Sequence, residues 1–438
     1  MQPNTVTIVG LGYVGLPLAV LAREKGWQVT GLDIDKEKVQ QINHQRSPFK
    51  DEYLSQALVR YPIVATTDPS VVSKSHIIVV AVPTPITAEN LPDLEPLTST
   101  ITTLLPHLTG GQVLIVESTI NPGVMDKVVM PLLRKRSDVR LEVDPPASTQ
   151  PLCLVHCPER VNPGDTTWTV RNIPRVLGGY SSAGITRARE FYHSVLEAPI
   201  TVMSSVTEAE AVKILENTFR DVNIAFINEM AKSFAKLDID IINVIKGAAT
   251  KPFAFLPHYP GNGVGGHCIS VDPYYMIERA KEVGFDHRFL KLARQINDSM
   301  PRYTVELLAQ GLQERGQQLA GTTIALLGLA YKKNVADLRE SPALKVVQLL
   351  KDRGTTVRIF DPYVPERSTA ASLDEALAGS DALMLACDHT VLVEKLTPNK
   401  LKTAGVQVVV DGKNALDADS IAAAGMLYVG VGRSRRPR

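Results

Sequence analysis

Cysteine is scarce in this chain of 438 residues, with four in all, at positions 153, 157, 268 and 387. So few, and so scattered, exclude a disulfide framework. A zinc site is missing as well, because Cys153 and Cys157 flank His156 with no second ligand pair at a suitable spacing. No apolar run reaches the roughly 20 residues of a membrane-spanning helix. No signal peptide precedes the first apolar strand, so a cytoplasmic protein is expected. Charge of one sign is also lacking: 47 Lys and Arg oppose 46 Asp and Glu, a net +1. With no broad basic field, neither nucleic acid nor a membrane surface is an expected partner. The length is enough for two or three domains with substantial cores.

What is present begins at the N-terminus. Val6-Thr7-Ile8-Val9 reads as a buried strand, followed by Gly10-Leu-Gly-Tyr-Val-Gly15 and an apolar helical run from Leu16 to Leu21. This is the dinucleotide fingerprint in the strand, turn and helix context it requires. Gly10 makes the tight turn, Gly12 admits a pyrophosphate to the helix N-terminus, and Gly15 lets helix and strand pack closely. A second strand, Gln28 to Leu32, ends in Asp33, placed to hold the adenine ribose hydroxyls. An acid there predicts NAD rather than NADP, whose 2′-phosphate would meet the carboxylate. Lys36 and Lys38 are expected to be solvated helix positions.

The cysteines divide by context. Leu152-Cys-Leu-Val-His-Cys157 reads as a buried strand ending at Pro158, and Cys387 closes the strand Leu383-Met-Leu-Ala-Cys387, so these three are core thiols. Cys268 differs, because it lies in the glycine-rich segment Gly263-Val-Gly-Gly-His-Cys-Ile269. Glycines there allow close approach of backbone and substrate, and a nearby cation would favour a thiolate able to attack an aldehyde.

The N-terminal order repeats near the C-terminus. Thr322 to Leu327, the turn Gly328-Leu-Ala-Tyr331, a helix and Thr356 to Asp361 follow the plan of the first strand, glycine turn, helix and second strand. His76 to Val82 corresponds to Asp381 to Cys387, and Val113 to Val116 corresponds to Val408 to Val410. The expected fold class is α/β, with two Rossmann-like doubly wound domains joined by a central helical domain. The second α/β unit lacks G-x-G-x-x-G and binds a different nucleotide or none. Between them Val206 to Met300 reads as mostly helical, and Glu208 to Leu237, free of Pro and Gly, predicts one long helix. Such a helix needs a partner face, which a homodimer or higher homo-oligomer would supply. The division expected is 1–200, 201–305 and 306–438. On the long helix Lys213, Asn217 and Arg220 share a face, while Ala211, Ile214, Leu215, Thr218, Val222 and Ala225 fill most of the rest, so the polar stripe is expected to face a cleft. Lys213 could carry protons or stabilise an oxyanion, Asn217 could hold a water or hydroxyl, and Arg220 could pair with a phosphate or carboxylate.

Over essentially its full length the chain resembles the UDP-glucose/GDP-mannose dehydrogenase superfamily, the nucleotide-sugar 6-dehydrogenases. The motifs are Gly10-Leu-Gly-Tyr-Val-Gly15-Leu-Pro, Val82-Pro-Thr-Pro85, Glu117-Ser-Thr119, Cys157-Pro-Glu-Arg-Val161, Glu216-Asn-Thr-Phe-Arg-Asp-Val-Asn223, Gly265-Gly-His-Cys268, Asp272-Pro-Tyr and Arg339-Glu-Ser-Pro342. The resemblance implies a four-electron oxidation of a sugar C6 alcohol to a carboxylate with two NAD in succession. It implies Lys213 as base and oxyanion stabiliser, Asn217 and Asp272 as holders of a water, Cys268 as the nucleophile that forms a thiohemiacetal and then a thioester, and Glu159 and Thr119 as helpers of water and proton handling. By the same resemblance Tyr13, Val14, Asp33, Thr84 and Thr119 line the NAD site, and Arg339 lies near the cofactor end of a cleft. Arg160, Val161, Arg220, Gly263 and His267 lie along the UDP-sugar, with Tyr331, Lys332 and Lys413 from the second α/β unit.

Two sets of segments point to different substrates. Cys157 to Val161 and Phe219 to Phe226 resemble enzymes acting on UDP-N-acetylmannosamine. Thr250 to Phe253, His258 to Gly261, Ile296 to Pro301 and Tyr331 to Asn334 resemble those acting on UDP-N-acetylglucosamine. Lys251-Pro252-Phe253 stands where the mannosamine enzymes carry His-Pro-Arg. The resemblance favours UDP-N-acetylglucosamine, with UDP-N-acetylmannosamine and UDP-glucose as alternatives. A β-hydroxyacid dehydrogenase, which transfers one hydride and needs no Cys268, is the reading from another class.

Overall fold

The computed structural model describes residues 4–49, 51–87, 91–144, 150–161, 167–266 and 268–433. The chain forms two compact units, Met1–Glu216 with Tyr274–Phe285, and Asn217–Pro273 with Asp286–Arg438.

The first unit is built on strands β1 (Thr5–Val9), β2 (Gln28–Leu32), β3 (Val64–Thr66), β4 (Ile77–Val80), β5 (Val113–Val116), β6 (Cys153–His156), β7 (Arg175–Gly179) and β8 (Ile200–Val202), in the spatial order β3-β2-β1-β4-β5-β6-β7-β8. All neighbours run parallel except β6 and β7. Strands β4, β5 and β6 are buried along their whole length, as expected of a parallel sheet covered on both faces. The period of two divides their side chains between two cores: Ile77, Val79, Val113 and Ile115 join one, and Ile78, Val80, Leu114 and Val116 the other.

The second unit carries β9 (Thr323–Leu327), β10 (Thr356–Phe360), β11 (Ala382–Leu385), β12 (Val408–Asp411) and β13 (Leu427–Gly430), ordered β10-β9-β11-β12-β13 and wholly parallel. The central order β10-β9-β11-β12 repeats β2-β1-β4-β5, so the internal repeat read from the sequence is a repeat of topology. Ile324 and Leu326 again face one core and Ala325 and Leu327 the other.

The long helix runs over Val206–Lys236. Its start is capped reciprocally, since Ser205 Oγ accepts the Glu208 N–H at 3.1 Å and the Glu208 carboxylate accepts the Ser204 N–H at 2.9 Å. It stops where Asp238 turns to φ +57°. The stretch after Ile241–Ala248 is less helical than expected: among the described residues no helix forms again until Asp272–Glu282, because glycines at 261, 263, 265 and 266 break the pattern, and the last helix of the region, Arg288–Glu314, continues past Met300.

One pair of acids shows how the repeats diverge. Asp33 Oδ2 accepts the N–H of Leu11 at 2.8 Å, and its counterpart Asp361 Oδ2 accepts that of Leu329 at 2.6 Å. In the second unit, however, His389 Nε2 lies 3.1 Å from Asp361, both side chains are fully buried, and Tyr363 stacks on the imidazole at 4.6 Å. The acid is sealed and has no face left for a ribose.

Burial pushes the Asp361 carboxyl up, but the hydrogen bond and charge of His389, with the N–H groups of Ala330 and Tyr363, bring it down to about 2 from 3.8. A carboxyl lowered in the fold stabilises it fully above the unfolded value, and that contribution fades as pH falls from about 4 to about 2. Asp361→Asn is therefore expected to cost ~2 kcal/mol at pH 7 and to flatten the acid limb of stability between those values. Denaturant midpoints against pH check this, and equal slopes in wild type and variant would refute it.

Candidate active site

In the first unit the fingerprint turn is held by the Gly10 N–H donating to Leu32 O at 2.8 Å. The helix Gly15–Glu24 starts so close to that turn that a Cβ on Gly15 would lie 1.9 Å from Gly10 O. No side chain caps its first turn. A Cβ on Gly12 would meet nothing within 4 Å. Open space above uncapped helical N–H groups fits a dinucleotide pyrophosphate, with Val14 at the N-cap position.

Asp33 is buried, and its Oδ1 accepts the N–H of Asp35 at 3.0 Å. The expectation that Lys38 is merely solvated is corrected: its Nζ lies 2.9 Å from Asp33 Oδ2, because the N-cap of Asp35 starts a helix whose first turn brings Lys38 back over the strand end. Lys36 is exposed as expected. Tyr13 stacks on Phe49 at 4.1 Å. Thr84 and Thr119 meet, the Thr84 hydroxyl donating to Thr119 O at 2.7 Å, while Ser118 Oγ donates to Val82 O at 2.7 Å. These bonds join the loops after β4 and β5, at the carboxyl ends where a doubly wound sheet holds its ligand.

Lys213 is 7% exposed, on the long helix. One turn earlier Glu210 accepts the N–H groups of Gly123 and Met125 at 2.5 and 2.8 Å, fastening the helix to the segment that follows Thr119. Burial pushes Glu210 up to about 7.

Glu159 Oε1 accepts the N–H groups of Arg160 and Val161, and Oε2 lies 2.8 Å from Arg175 Nη1. Arg160 grips Glu216 with Nε and Nη2 and donates from Nη1 to Pro174 O at 3.1 Å. Val161 packs against the core of the unit.

In the second unit the glycine-rich loop that leads to Cys268 is fixed from several sides. Asn228 Oδ1 accepts the Gly261 N–H at 3.0 Å, and Asn228 Nδ2 donates to Asn297 Oδ1 at 2.9 Å. Asn297 in turn donates to Asp221 Oδ1 at 2.8 Å, beside Arg294 at 2.6 Å. Gly263 packs on Pro301 and Pro342. Gly266 has φ +88° and lies under the Tyr331 ring, so a Cβ would sit 2.6 Å from that ring, and its N–H donates to Arg339 O at 3.0 Å. Only glycine suits both the dihedral and the approach.

Cys268 is exposed, and its carbonyl accepts the N–H groups of Val271 and Asp272 at 3.1 and 2.8 Å, which seats the thiol one turn ahead of the helix Asp272–Glu282. Asp272 is buried and accepts from Asn217 Nδ2 at 2.6 Å. Arg339 is gripped by Asp337, Nε to Oδ1 at 3.0 Å and Nη2 to Oδ2 at 2.6 Å. That bond is the chief cause that raises the guanidinium. Lys332 is half-buried, and Lys413 Nζ approaches Gly261. The polar stripe divides: Asn217 is buried with Lys213, but Arg220 is exposed, as is Leu215 at 70%. His267 lies outside the described residues.

The other thiols are inert by burial, which pushes Cys153 to about 11 and Cys157 and Cys387 to about 12. Among the described residues no group of His, Cys, Asp and Glu could hold a metal ion, and no helix is long and apolar enough to cross a membrane. The sequence reading missed Asp221, Asn228 and Asn297, and it missed Arg175, whose one signal is a charge heading the apolar run Arg175–Gly179.

Residues 4–196 match the NAD-binding domain of the UDP-glucose/GDP-mannose dehydrogenase family, residues 207–299 its central domain, and residues 325–418 its UDP-binding domain. The chain belongs to this family. As a nucleotide-sugar dehydrogenase it uses NAD, consistent with the open fingerprint turn. It is similar to UDP-N-acetyl-D-mannosamine dehydrogenase of Pyrococcus horikoshii, 34% identical over 98% of this chain and 99% of that one. It is also similar to UDP-N-acetyl-D-glucosamine 6-dehydrogenase of Pseudomonas aeruginosa, 33% identical over 96% and 99%. A solved structure of UDP-D-ManNAc dehydrogenase from Pyrococcus horikoshii superposes with a TM-score of 0.88 at 31% identity, covering 99% of this dehydrogenase and 100% of that chain.

Proposed function

We propose that this dehydrogenase oxidises the C6 alcohol of a UDP-N-acetylhexosamine to the carboxylate, in two steps at one site. The observation that carries the reading is the exposed Cys268 thiol one turn ahead of Asp272, whose carboxylate Asn217 holds at 2.6 Å. Bound NAD supplies the hydride acceptor for each oxidation. Lys213 stabilises the negative charge that develops on the substrate oxygen, and Asn217 with Asp272 positions the water that takes the hydroxyl proton. Cys268 adds to the aldehyde carbon, forming a C–S bond while the carbonyl oxygen gains a proton. After the second oxidation the adduct is a thioester. Water attacks it, the C–S bond breaks, and thiolate leaves, with Glu159 and Thr119 handling water and proton.

Relatives of nearly equal identity are named for both epimers, so identity does not choose between them. Lys251-Pro252-Phe253 favours UDP-N-acetylglucosamine: Lys251 Nζ lies over the Phe253 ring at 4.7 Å, in place of the histidine and arginine of the mannosamine enzymes. Leu215, Phe219 and Phe226 are exposed along the long helix, which supports a homodimer formed through that face.

The test is NADH formed per sugar consumed, with UDP-N-acetylglucosamine, UDP-N-acetylmannosamine and UDP-glucose offered separately. About two NADH on UDP-N-acetylglucosamine and little turnover of the others is the expected result. Preference for UDP-glucose would overturn the N-acetylhexosamine assignment, and one NADH per sugar would overturn the two-step reading.

A further inference from the structure

Glu117, Glu159, Arg175 and Tyr192 meet inside the first unit, from the end of β5, the turn after β6, the head of β7 and the helix Ser182–Val195. They are 1%, 5%, 0% and 0% exposed. Arg175 Nη1 lies 2.8 Å from Glu159 Oε2 and 3.7 Å from Glu117 Oε1, its guanidinium stands 5.8 Å from the Tyr192 ring, and the Tyr192 hydroxyl donates to Glu117 Oε1 at 2.5 Å. A buried guanidinium in an enzyme's sheet must be satisfied or it destabilises the fold strongly. Here it is shared by two carboxyls, only one of which the reaction uses.

We infer that Arg175 is a positioning residue for thioester hydrolysis, its Nη1 set against Glu159 Oε2 so that this carboxylate is held on its turn. The inference rests on the reading that Cys268 forms a thioester and Glu159 helps water attack it.

Two carboxyls share one guanidinium in a dry interior, which favours a retained proton within the group. Burial pushes Glu117 up to about 7, against the pull of Arg175 and the Tyr192 hydrogen bond and with the help of Glu159. The shorter ion pair belongs to Glu159. The other groups facing the cluster supply no charge: burial pushes the Cys157 thiol up to about 12 and raises Tyr192, and His156 on β6 is pushed down to about 3 by burial. On the outer side Arg160 and Glu216 neutralise each other. Arg175 is thus the cation that the cluster depends on. The two backbone N–H groups hold Glu159 Oε1 by hydrogen bonds, and at Oε2 the Arg175 guanidinium acts through its charge at 2.8 Å.

The test follows the Cys268 acyl adduct by intact mass and its hydrolysis by rapid quench across pH 5 to 9, with UDP-N-acetylglucosamine and NAD. Wild type, Glu159→Gln, Arg175→Met and Arg175→Lys are compared. Glu159→Gln is expected to accumulate the adduct. Arg175→Met is expected to slow hydrolysis by about 100-fold, as for loss of a positioned proton-transfer group, and to move the acid limb of the hydrolysis profile to higher pH. Arg175→Lys, which keeps the charge, should rescue part of both effects. NADH formation in the first oxidation should change far less. If Glu159→Gln accumulates adduct while Arg175→Lys and Arg175→Met hydrolyse it at the wild-type rate with an unshifted limb, the positioning role is overturned and the Glu159 reading stands. If Glu159→Gln accumulates nothing, both fall. Should Arg175→Met not fold, Arg175→Lys, checked by NADH binding, decides the question.

Discussion

Cys268→Ser is expected to stop the reaction after the first oxidation, with uronate formation reduced at least ~1000-fold and no more than one NADH released per sugar. A serine hydroxyl at neutral pH is a far weaker nucleophile toward the aldehyde than a thiol. The loop itself should survive, because what fixes it is backbone: the Gly266 N–H on Arg339 O, the Cys268 carbonyl under Val271 and Asp272, and the Gly261 N–H on Asn228. The loss would then lie in chemistry and not in folding. Trapping the aldehyde with a hydrazine while counting NADH makes the measurement, and two NADH per sugar from Cys268→Ser would remove the covalent route and leave a simpler dehydrogenase.

Gly15→Ala is expected to abolish NAD binding and to lower the stability of the first unit by ~3 kcal/mol or more. The added Cβ would lie 1.9 Å from Gly10 O and 3.1 Å from Ile8 Cγ2, and the first of these is backbone that no rotamer change can clear. The helix would have to back away, breaking the Leu16 N–H bond to Gly12 O at 3.1 Å that sets its first turn. Gly12→Ala is the control. Nothing lies within 4 Å of its Cβ, so the melting temperature should hold while the space for the pyrophosphate is filled. NADH fluorescence titration with thermal melts separates the two. Equal melting temperatures for Gly15→Ala and wild type would sink the argument.

Much of this could be read from the chain because the signals are local. The strand Gln28–Leu32 and the long helix, expected from Glu208 to Leu237 and found over Val206–Lys236, are set by short-range periodicity and by caps within a turn of the chain. The twin sheets were legible because the same strand, turn and strand spacing recurs. What the sequence withheld depends on tertiary approach. Lys38 reaches Asp33 only because a turn folds it back. The Tyr192 bond to Glu117 joins residues 75 apart, which no periodicity reveals. Arg220 was placed correctly on a helical face beside Asn217, but a helical wheel does not say which edge of that face neighbours cover, and Arg220 is exposed.

The uneven burial of the thiols bears on durability. Peroxide reaching this molecule meets three thiols held protonated in the core and one that is exposed. Oxidation to a sulfenic acid would fall on Cys268 first, reversibly, before any damage to the cores. The residue that would carry the second oxidation of the sugar is therefore also the one through which an oxidising cell would silence it.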